Sequence, residues 1–336
     1  METRFAVVSD PVRKAMGGIE NHARILCNLL SNHGYNVTII EYDKLRIGDI
    51  KDYDVVVIEG IHRKTLLKTI LMRKRSRMLL FTHGSFYLTS EERKDLRKFD
   101  SSKEFFFKII FDKIFIKTIF KRFDKIITLS DSESRDLLKQ FAISPEKLSS
   151  LEVFSDETDK EAKTQEDMRY GRKEYVCYVG RLDYRKNLIS LLMACHKLDL
   201  PLLVAGQDQG VLAELESYCR ENAYNKFHYL GIISKNDKIT LIKNSLIVAI
   251  PSFFEGTPLV AIEALKLGKN VIMTCNSYMI EHPCITFSKT DSDSLAHCIR
   301  GAMKSKGCDT GFISNGEILK KFIEIVNTVS SKKKNL

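Results

Sequence analysis

The sequence lacks the patterns by which zinc sites, redox pairs and membrane-spanning helices are usually recognised. Its eight cysteines are scattered and no two stand in C-x2-C spacing, so they predict neither a zinc site nor a redox pair. The charge-free run NSLIVAIPSFF (244–254) has 11 residues, whereas a helix needs about 20 to cross a bilayer. The start, METRFAVVSDP, leads straight into a predicted strand without a signal-peptide pattern. We therefore expect a cytoplasmic protein with reduced thiols.

The chain is long enough, and its composition ordinary enough, for two soluble domains. It has 336 residues, of which 44% are hydrophobic and 29% charged. The net charge of +10 is concentrated: residues 63–125 hold 18 basic and 7 acidic side chains, a balance of +11, and the remaining 35 basic and 36 acidic side chains balance to −1. A localised positive excess favours an anionic partner, such as a membrane surface, a phosphorylated lipid or a nucleic acid.

Short β-rich runs alternate with helix-length segments along the whole chain. Alternation of this kind predicts parallel sheets with helices on both faces. The charged segment 155–173 has almost no large apolar side chains, which is typical of a connection between domains. We predict an α/β protein of two Rossmann-like domains that face each other across a cleft. Their predicted bounds are 1–165 and 166–315, followed by a terminal helix and basic tail (316–336) for which packing back on the first domain is one option. The ten runs are RFAVVSD, NVTIIEY, YDVVVIEG, RMLLFTHG, KIITLSD, EYVCYVGR, PLLVAGQ, FHYLG, LIVAIPS and NVIMT.

The first candidate site is the glycine pair that follows the first predicted strand, in MGGIENHARILCNLLSNHGY. Gly17 and Gly18 stand just before a predicted helix, where backbone can approach a ligand closely and the helix N-terminus favours an anion. The motif alone is weak because it is neither G-x-G-x-x-G nor a Walker loop. An ordinary strand-to-helix turn is the alternative interpretation.

The second candidate is YVGRLDYRKNL (178–188), which again follows a strand and precedes a helix. Gly180 makes the turn, and Arg181 and Lys186 lie in the loop and first helical turn. Two cations at a helix entrance are unfavourable for the helix dipole unless an anion joins them. The pattern therefore indicates phosphate, with Arg181 suited to bidentate contact and Lys186 to a point charge. A solvated basic turn remains the alternative.

The third candidate is FFEGTPLVAIEAL (253–265), in which two glutamates stand eight apart among apolar residues. Thr257 is a candidate N-cap and Pro258 suits the first helical position. Glu255 is then a loop residue outside the helix, whereas Glu263 lies inside a helix that is apolar all round and must find hydrogen-bonding or cationic partners. Alternatively, Glu255 only assists the helix dipole and Glu263 only pairs with a lysine such as Lys266 or Lys186.

Together these three stretches resemble glycosyltransferase family 4, the retaining, nucleotide-sugar-dependent transferases of the GT-B fold. The motifs occur in the same order: GG-x-E after strand one, G-R-L-x4-K-N at the start of domain two, then F-E-G-x-P-L-x3-E-A with its E-x7-E spacing. The resemblance extends from about residue 4 to residue 275. The last two motifs are specific when they occur in this order.

The resemblance implies a role for each matching residue. Arg181 and Lys186 would hold the donor diphosphate, where preoriented cations stabilise the charge that develops on the leaving group. Glu255 would face the donor sugar and Glu263 would accept hydrogen bonds from the ribose. The backbone at Gly17, Gly18 and Gly180, and from Gly256 through Thr257 and Pro258 to Leu259, would complete the donor site.

The resemblance also implies that no metal ion and no cofactor is needed, because Arg181 and Lys186 neutralise the diphosphate. No D-x-D carboxylate pair follows a strand, and the D-x-E within SDSES (130–134) stands where the family begins a helix. His83, in FTHGSFY after another strand of the first domain, matches a position at which family members contact the donor sugar or the acceptor. A hydrogen-bonded structural histidine is the alternative there.

Two stretches depart from the family pattern. LEVFSDETD (151–159) stands where P-N-G-V-D is usual and lacks its Asn and Gly, and VAGQDQG (204–210) only approximates the usual glycine turn. The contacts of the inter-domain turn are therefore in doubt.

The segment SSKEFFFKIIFDKIFIKTIFKRFDK (101–125) is basic and aromatic, and its residues divide between two faces at helical spacing. One hypothesis is a helix packed on the sheet of the first domain. The other is docking on an anionic membrane together with RKRSR (73–77), and one face could serve each purpose. Nucleic acid is not expected, because the aromatic residues follow a helical period. The apolar face holds Ile109, Ile116, Ile119, Phe120 and Phe123, and the basic face holds Lys113, Lys117, Lys121 and Lys125.

The sequence thus predicts a retaining glycosyltransferase that moves a hexose-type sugar from a nucleotide-diphosphate sugar to a hydroxyl of a glycan or lipid-linked acceptor. The expected setting is bacterial lipopolysaccharide, capsule or other surface-polysaccharide synthesis, with the enzyme cytoplasmic or peripheral at the inner face of the membrane through residues 63–125. The alternatives are a sugar-nucleotide epimerase or hydrolase of the same fold, or a non-catalytic membrane-binding adaptor.

Overall fold

A computed structural model describes residues 3–9, 18–46, 48–60, 76–83, 117–155, 174–253, 255–274, 282–305 and 313–333. The chain divides into two compact units. The first contains the chain up to Ser155 and the segment from Ile313 onward, and the second contains most of the chain between them. From the sequence, the divisions were predicted after residues 165 and 315.

The first unit is a six-stranded, all-parallel sheet with the order β2-β1-β3-β4-β5-β6. Its inner strands are continuous runs of buried apolar residues, as expected for a parallel sheet covered on both faces. The strands are β1 Arg4–Ser9, β2 Asn36–Glu41, β3 Val55–Glu59, β4 Arg77–Phe81, β5 Lys125–Thr128 and β6 Leu148–Ser150. The described helices of this unit are α1 Gly18–Asn32, α2 Asp131–Phe141 and α8 Asn315–Lys333.

The second unit is also a six-stranded parallel sheet, with the order β12-β11-β10-β7-β8-β9. If β7 is counted as strand 1 and the sheet is read from the β9 edge, this is the order 3-2-1-4-5-6 of dinucleotide-binding folds. The strands are β7 Val176–Val179, β8 Leu202–Ala205, β9 Phe227–Tyr229, β10 Ile247–Ile250, β11 Asn270–Thr274 and β12 Ile285–Ser288. The described helices are α3 Leu188–Lys197, α4 Leu212–Glu221, α5 Lys235–Asn244, α6 Leu259–Lys266 and α7 Ser292–Ala302.

All ten predicted strands are present, and two further strands, β6 and β12, were missed. Both lie at sheet edges and carry a weak sequence signal. β6 is the three-residue run LSS, and β12 is ITFS, whose two middle residues are exposed. An edge strand with one neighbour and little apolar surface cannot be recognised from hydrophobicity alone.

The helix at the end of the chain packs in the first unit. Phe322 of α8 lies 5.9 Å from Phe81 of β4 between ring centroids, and 6.5 Å from Phe154. At the start of the helix, the Asn315 side-chain amide donates to the Ser155 carbonyl oxygen over 2.8 Å. This hydrogen bond joins the start of α8 to Ser155, the residue that ends the first stretch of this unit.

Only the last part of the basic, aromatic segment lies within the described residues. Ile119, Phe120 and Phe123 are buried in the core, where Phe120 meets Phe141 edge-on at 5.5 Å. Lys117 and Lys121 are exposed. The predicted apolar face is therefore core in this part, and Ile109, Lys113 and Ile116 lie outside the described residues.

The residue pattern around SDSES has a structural role. Ser130 caps α2, accepting from the Glu133 amide over 3.2 Å, and the buried Glu133 carboxylate accepts from the Leu129 amide over 3.0 Å. The arrangement resembles a capping box, except that the glutamate accepts from the amide one residue before the N-cap.

The expectation of uniformly reduced thiols is wrong for Cys284, which is disulfide-bonded. Its partner is not among the other described cysteines, which are free. Scattered spacing in the sequence could not reveal this bond, because a disulfide depends on the distance between residues in the fold. Among the described residues, no helix is both long and apolar enough to cross a membrane.

Candidate functional site

The main candidate site lies where the strand order of the second unit reverses. The chain passes from β7 to β8 on one side, and β10 pairs with β7 on the other. In open α/β sheets, ligands bind beside the carboxyl ends of the strands at such a reversal. The loops that follow β7 and β10 carry the predicted residues Arg181, Lys186 and Glu255, so the fold brings two distant stretches of sequence to one place.

The turn after β7 is built around close backbone contact. A Cβ added to Gly206, which follows β8 with φ +145°, would lie 1.8 Å from the Gly180 carbonyl oxygen. Any other residue at 206 would therefore push the two strand ends apart. The Tyr178 hydroxyl donates to the Arg181 carbonyl oxygen over 2.7 Å and fixes the loop. The Arg181 side chain is exposed and has no side-chain partner within the described parts of the chain.

Lys186 lies in a single 3-10 turn, Tyr184–Lys186, and not in the first turn of the helix as predicted. Asn187 interrupts the helix with a left-handed backbone (φ +53°), so α3 begins only at Leu188. The buried Asn187 side-chain amide donates to the carbonyl oxygens of Pro251, over 3.1 Å, and Thr290, over 2.8 Å. These bonds anchor the loop that carries Lys186 against the end of β10.

Lys186 and Glu255 form an ion pair between the Nζ and Oε2 atoms. The same carboxylate oxygen accepts from the Ser252 hydroxyl over 3.0 Å. Both side chains remain partly accessible, 18% for Lys186 and 20% for Glu255. The alternative in which Lys186 pairs with Glu263 is therefore wrong, and the loop glutamate has a cation beside it.

The helix that follows begins one residue later than predicted. Pro258 is the N-cap residue of α6, so Thr257 lies outside the helix and Leu259 is its first residue. The N-cap residue itself, a proline, makes no side-chain cap hydrogen bond. Gly256, Thr257 and Pro258 thus form the approach to the helix. The backbone of Pro258 is extended (ψ 124°), so this residue precedes the helix and is not part of it.

Glu263 lies inside α6, almost completely buried at 3% exposure, and pairs with a residue that the sequence analysis did not consider. Lys238 Nζ, on α5, lies 2.6 Å from Glu263 Oε1. Glu255 and Glu263 therefore have different cationic partners, and Glu263 pairs with a lysine as the structural alternative expected, although with a different one. The sequence position of Lys238 did not indicate this pairing, because only the fold brings Lys238 on α5 to Glu263 on α6.

The predicted site residues of the first unit behave differently. Gly18 begins α1, and Gly17 lies outside the described residues. His83 follows β4 with a left-handed backbone (φ +52°), a strained conformation for a residue other than glycine. Its Nε2 lies 2.5 Å from Glu59 Oε2 at the end of β3, and His22 Nδ1 of α1 lies 3.0 Å from the same oxygen.

This cluster of His22, Glu59 and His83 is buried at the carboxyl ends of β3 and β4. The side chains of His22 and Glu59 are 0% exposed and that of His83 is 8% exposed. Burial acts to raise the pKa of Glu59, but His22 and His83 lower it by more, so the pKa falls from the usual 4.5 to about 2. Glu59 is therefore a carboxylate at neutral pH. Its position at the end of the apolar run VVVIE was the available sequence signal.

Comparison with known proteins identifies the family to which the second unit is similar. Residues 159–309 match the family model of glycosyl transferases group 1. The match covers the loop of Arg181 and Lys186 and both glutamates.

Two curated relatives are similar to this chain. An N-acetylgalactosamine-N,N'-diacetylbacillosaminyl-diphospho-undecaprenol 4-alpha-N-acetylgalactosaminyltransferase of Campylobacter jejuni is 31% identical over 172 residues, 50% of this chain and 46% of that protein. The alignment thus spans about half the length of this relative. The amylovoran biosynthesis glycosyltransferase AmsD of Erwinia amylovora is 23% identical over 313 residues, 79% of this chain and 82% of that protein.

Among solved structures, a sucrose-phosphate synthase from Thermosynechococcus elongatus superposes with a TM-score of 0.76 at 16% identity. The match covers 98% of this chain and 100% of that one. At this identity the likeness shows the fold alone. The predicted GT-B fold, with two parallel α/β sheets, is confirmed.

Proposed function

We propose that this protein is a retaining glycosyltransferase of family 4. It transfers a hexose-type sugar from a nucleotide-diphosphate sugar to a hydroxyl of a glycan or lipid-linked acceptor. The observation that carries the proposal is the Lys186–Glu255 ion pair at the strand reversal of the second unit, within the segment that matches group 1. A cation and a carboxylate held side by side suit a substrate with a phosphate end and a hydroxyl-rich end.

The donor diphosphate binds between Arg181 and Lys186. Arg181 is exposed and supplies two parallel N–H donors, which match phosphate oxygens. Lys186 supplies a compact charge that its loop, anchored by Asn187, holds in place before the substrate arrives. Because these cations are already oriented, they stabilise the charge that develops on the departing diphosphate without reorganisation.

The two glutamates hold the remaining parts of the donor. Glu255, on the accessible loop, accepts hydrogen bonds from sugar hydroxyls, and Glu263 accepts from the ribose. The backbone between Gly256 and Leu259 leads to the N-terminus of α6, a helix end that favours an anionic or hydrogen-bond-accepting group of the donor. Gly17, Gly18 and Gly180 add backbone contacts, and His83 contacts the sugar or the acceptor.

In the transfer step, the bond between the anomeric carbon and the diphosphate oxygen breaks and its electron pair leaves with the diphosphate. The acceptor hydroxyl oxygen forms the new bond on the same face of the sugar, and its proton passes to the departing phosphate oxygen. The configuration is therefore retained. No metal ion is needed at the diphosphate, because Arg181 and Lys186 neutralise it.

The relatives point to the setting of the reaction. One is named for transfer to a diphospho-undecaprenol-linked sugar and another for the synthesis of the polysaccharide amylovoran. We propose the same class of acceptor here, a growing lipid-linked or surface glycan. The enzyme then works in the cytoplasm beside the membrane, and residues 63–125 supply the positive charge that attracts it to anionic lipid.

A panel of nucleotide-diphosphate sugars tests the proposal directly. The true donor should raise the melting temperature of the full chain and be turned over slowly to sugar and nucleoside diphosphate, because a ligand that binds the folded state stabilises it by mass action. Added Mg²⁺ or Mn²⁺ should leave turnover unchanged. With an acceptor present, NMR should show the product with the anomeric configuration of the donor.

Three outcomes would contradict the proposal. Stabilisation by no sugar nucleotide would favour a non-catalytic adaptor. Conversion to an epimeric sugar nucleotide, or hydrolysis that no acceptor diverts into transfer, would favour the alternative enzymes of this fold.

The membrane contact needs its own experiment. Replacing Lys113, Lys117 and Lys121 together by Gln should weaken binding to phosphatidylserine-containing liposomes and reduce its salt dependence, because each lysine near such a surface contributes about 1 kcal/mol. Replacing the exposed Lys197 and Lys304 and the half-buried Lys226 of the second unit is the matched control. Binding that neither the triple change nor salt affects would rule this surface out.

A further inference from the structure

The buried cluster of the first unit holds polar atoms that have no hydrogen-bond partner within the described part of the chain. Within the described ranges, the buried side-chain nitrogen and oxygen atoms without a hydrogen-bond partner are Ser9 Oγ, His22 Nε2 and Glu59 Oε1. Two belong to the cluster itself. The third is adjacent, because β1 and β3 pair Val8 with Ile58, which places Ser9 and Glu59 side by side at the next position of the same register. Buried polar groups are normally hydrogen-bonded, so the concentration of unpaired groups at one place calls for an occupant.

The geometry of the cluster is compact enough for one small ion. One ligand atom each from His22, Glu59 and His83 can be chosen so that all three lie within 4.8 Å of one another. The two nitrogen–oxygen separations are 3.0 and 2.5 Å. A tetrahedral ion with bonds of about 2.0–2.2 Å holds its ligand atoms about 3.3 Å apart. To surround an ion, the paired nitrogen and oxygen atoms must therefore separate slightly and atoms up to 4.8 Å apart must approach one another.

The donor set selects the chemical class of that ion. Two imidazole nitrogens and one carboxylate suit zinc and its neighbours among the first-row transition metals, whereas calcium and magnesium prefer oxygen ligands alone. Glu59 would contribute a carboxylate, and its otherwise unpartnered Oε1 could join Oε2 on the ion. The second nitrogen of His22 would then remain for an ordered water, the usual kind of partner for a metal-bound imidazole.

We propose that His22, Glu59 and His83 form a binding site for one divalent transition-metal ion of the zinc class. The ion links α1 to the ends of β3 and β4 and holds His83 in its strained backbone conformation. Three protein ligands leave a fourth position, on the side of His83, which is the least buried of the three residues. The site lies in the first unit and shares His83 with the proposed sugar or acceptor contact, whereas the proposed phosphate binding rests on Arg181 and Lys186.

Metal content tests the site on the full chain without a histidine tag. After chelation and dialysis against zinc, elemental analysis should find one tightly held zinc ion per chain, and zinc should raise the melting temperature. His83→Ala and Glu59→Gln should each weaken zinc affinity by more than about tenfold, because losing a ligand is at least as severe as losing a group that orients one. The matched control is His228→Ala, which removes an exposed histidine of the second unit and should leave the affinity unchanged.

X-ray absorption at the zinc edge keeps the proposal testable if a variant fails to fold. The unmodified protein should show nitrogen and oxygen ligands with the scattering pattern of two imidazoles. Absence of stoichiometric zinc, sulfur ligands from the free cysteines, or affinity that His83→Ala leaves unchanged would each overturn the proposal.

Discussion

The two sheets place opposite kinds of charged cluster at their strand ends. In the second unit, Lys186 and Glu255 form an ion pair that is about one-fifth exposed. In the first, one carboxylate lies between two histidines with almost no access to water. A partly hydrated pair can exchange one partner for a substrate at modest cost, whereas a buried cluster cannot lose a member without exposing an uncompensated charge. The first arrangement suits substrate binding and the second suits holding a structure in place.

The largest effect of breaking this contrast should come from Glu59→Gln. Removing one member of a buried charged cluster costs about 3–5 kcal/mol, and the retained amide oxygen favours the lower end, about 3 kcal/mol. Urea unfolding of the first unit, followed by hydrogen exchange, measures the loss. Glu41→Gln is the control, because Glu41 pairs with Lys44 on the surface of the same sheet and should cost less than about 1 kcal/mol. Equal losses in the two variants would show that burial does not distinguish the clusters.

Lys186→Ala should affect catalysis and leave stability nearly unchanged, the reverse of Glu59→Gln. Loss of one preoriented group that stabilises developing charge lowers kcat by about 100-fold or more. Steady-state kinetics with the donor found in the panel measures the change. Lys197→Ala removes a more exposed ion pair of the same unit, with Asp293, and should retain full activity. An unchanged kcat and donor KM in Lys186→Ala would remove Lys186 from the mechanism.

Glu263→Gln should weaken donor binding by about tenfold, since a hydrogen bond to a charged acceptor contributes about 1.5–3 kcal/mol and the amide retains part of it. The donor Kd, measured by calorimetry, reports the loss. Lys238→Met separates the two functions of Glu263, because it removes the internal partner and keeps the carboxylate. If Glu263→Gln lowers stability and leaves donor Kd unchanged, the pair with Lys238 is purely structural.

Acid should remove the stabilising contribution of Glu59 gradually. The pKa of Glu59 is about 2 in the folded protein, below its usual 4.5, so its contribution to stability is complete above pH 4.5 and is lost as pH falls toward 2. Over that range, unfolding adds at most one proton at Glu59. The unfolding free energy therefore changes by at most about 1.4 kcal/mol per pH unit through this group. The unfolding free energy of Glu59→Gln should therefore depend less on pH between 4.5 and 2. Parallel pH dependences would show that Glu59 is not held ionised.

The sequence was most informative where the signal is local. Continuous apolar runs identified ten strands, and the motif order around Gly180, Arg181, Lys186, Glu255 and Glu263 predicted the fold that the comparisons confirm. The predicted helix boundaries were less accurate, because Asn187 and Pro258 place two helix starts later than the pattern suggested. A left-handed residue or a proline cap shifts a boundary without changing the hydrophobic period.

Partners distant in sequence could not be predicted. Lys238 of α5 meets Glu263 of α6 only in the folded chain, and Glu59 meets His22 and His83 only because β3 pairs with β4 and contacts α1. The disulfide of Cys284 was missed for the same reason.

By itself, the sequence determined the alternation of strands and helices, the localisation of positive charge in residues 63–125 and the residue types at each strand end. Only the tertiary structure decided which charges meet and how much water reaches them. Hydrophobic period and turn chemistry act within a few residues, whereas the strength of a charged contact depends on distance and burial, which arise when the whole sheet is assembled.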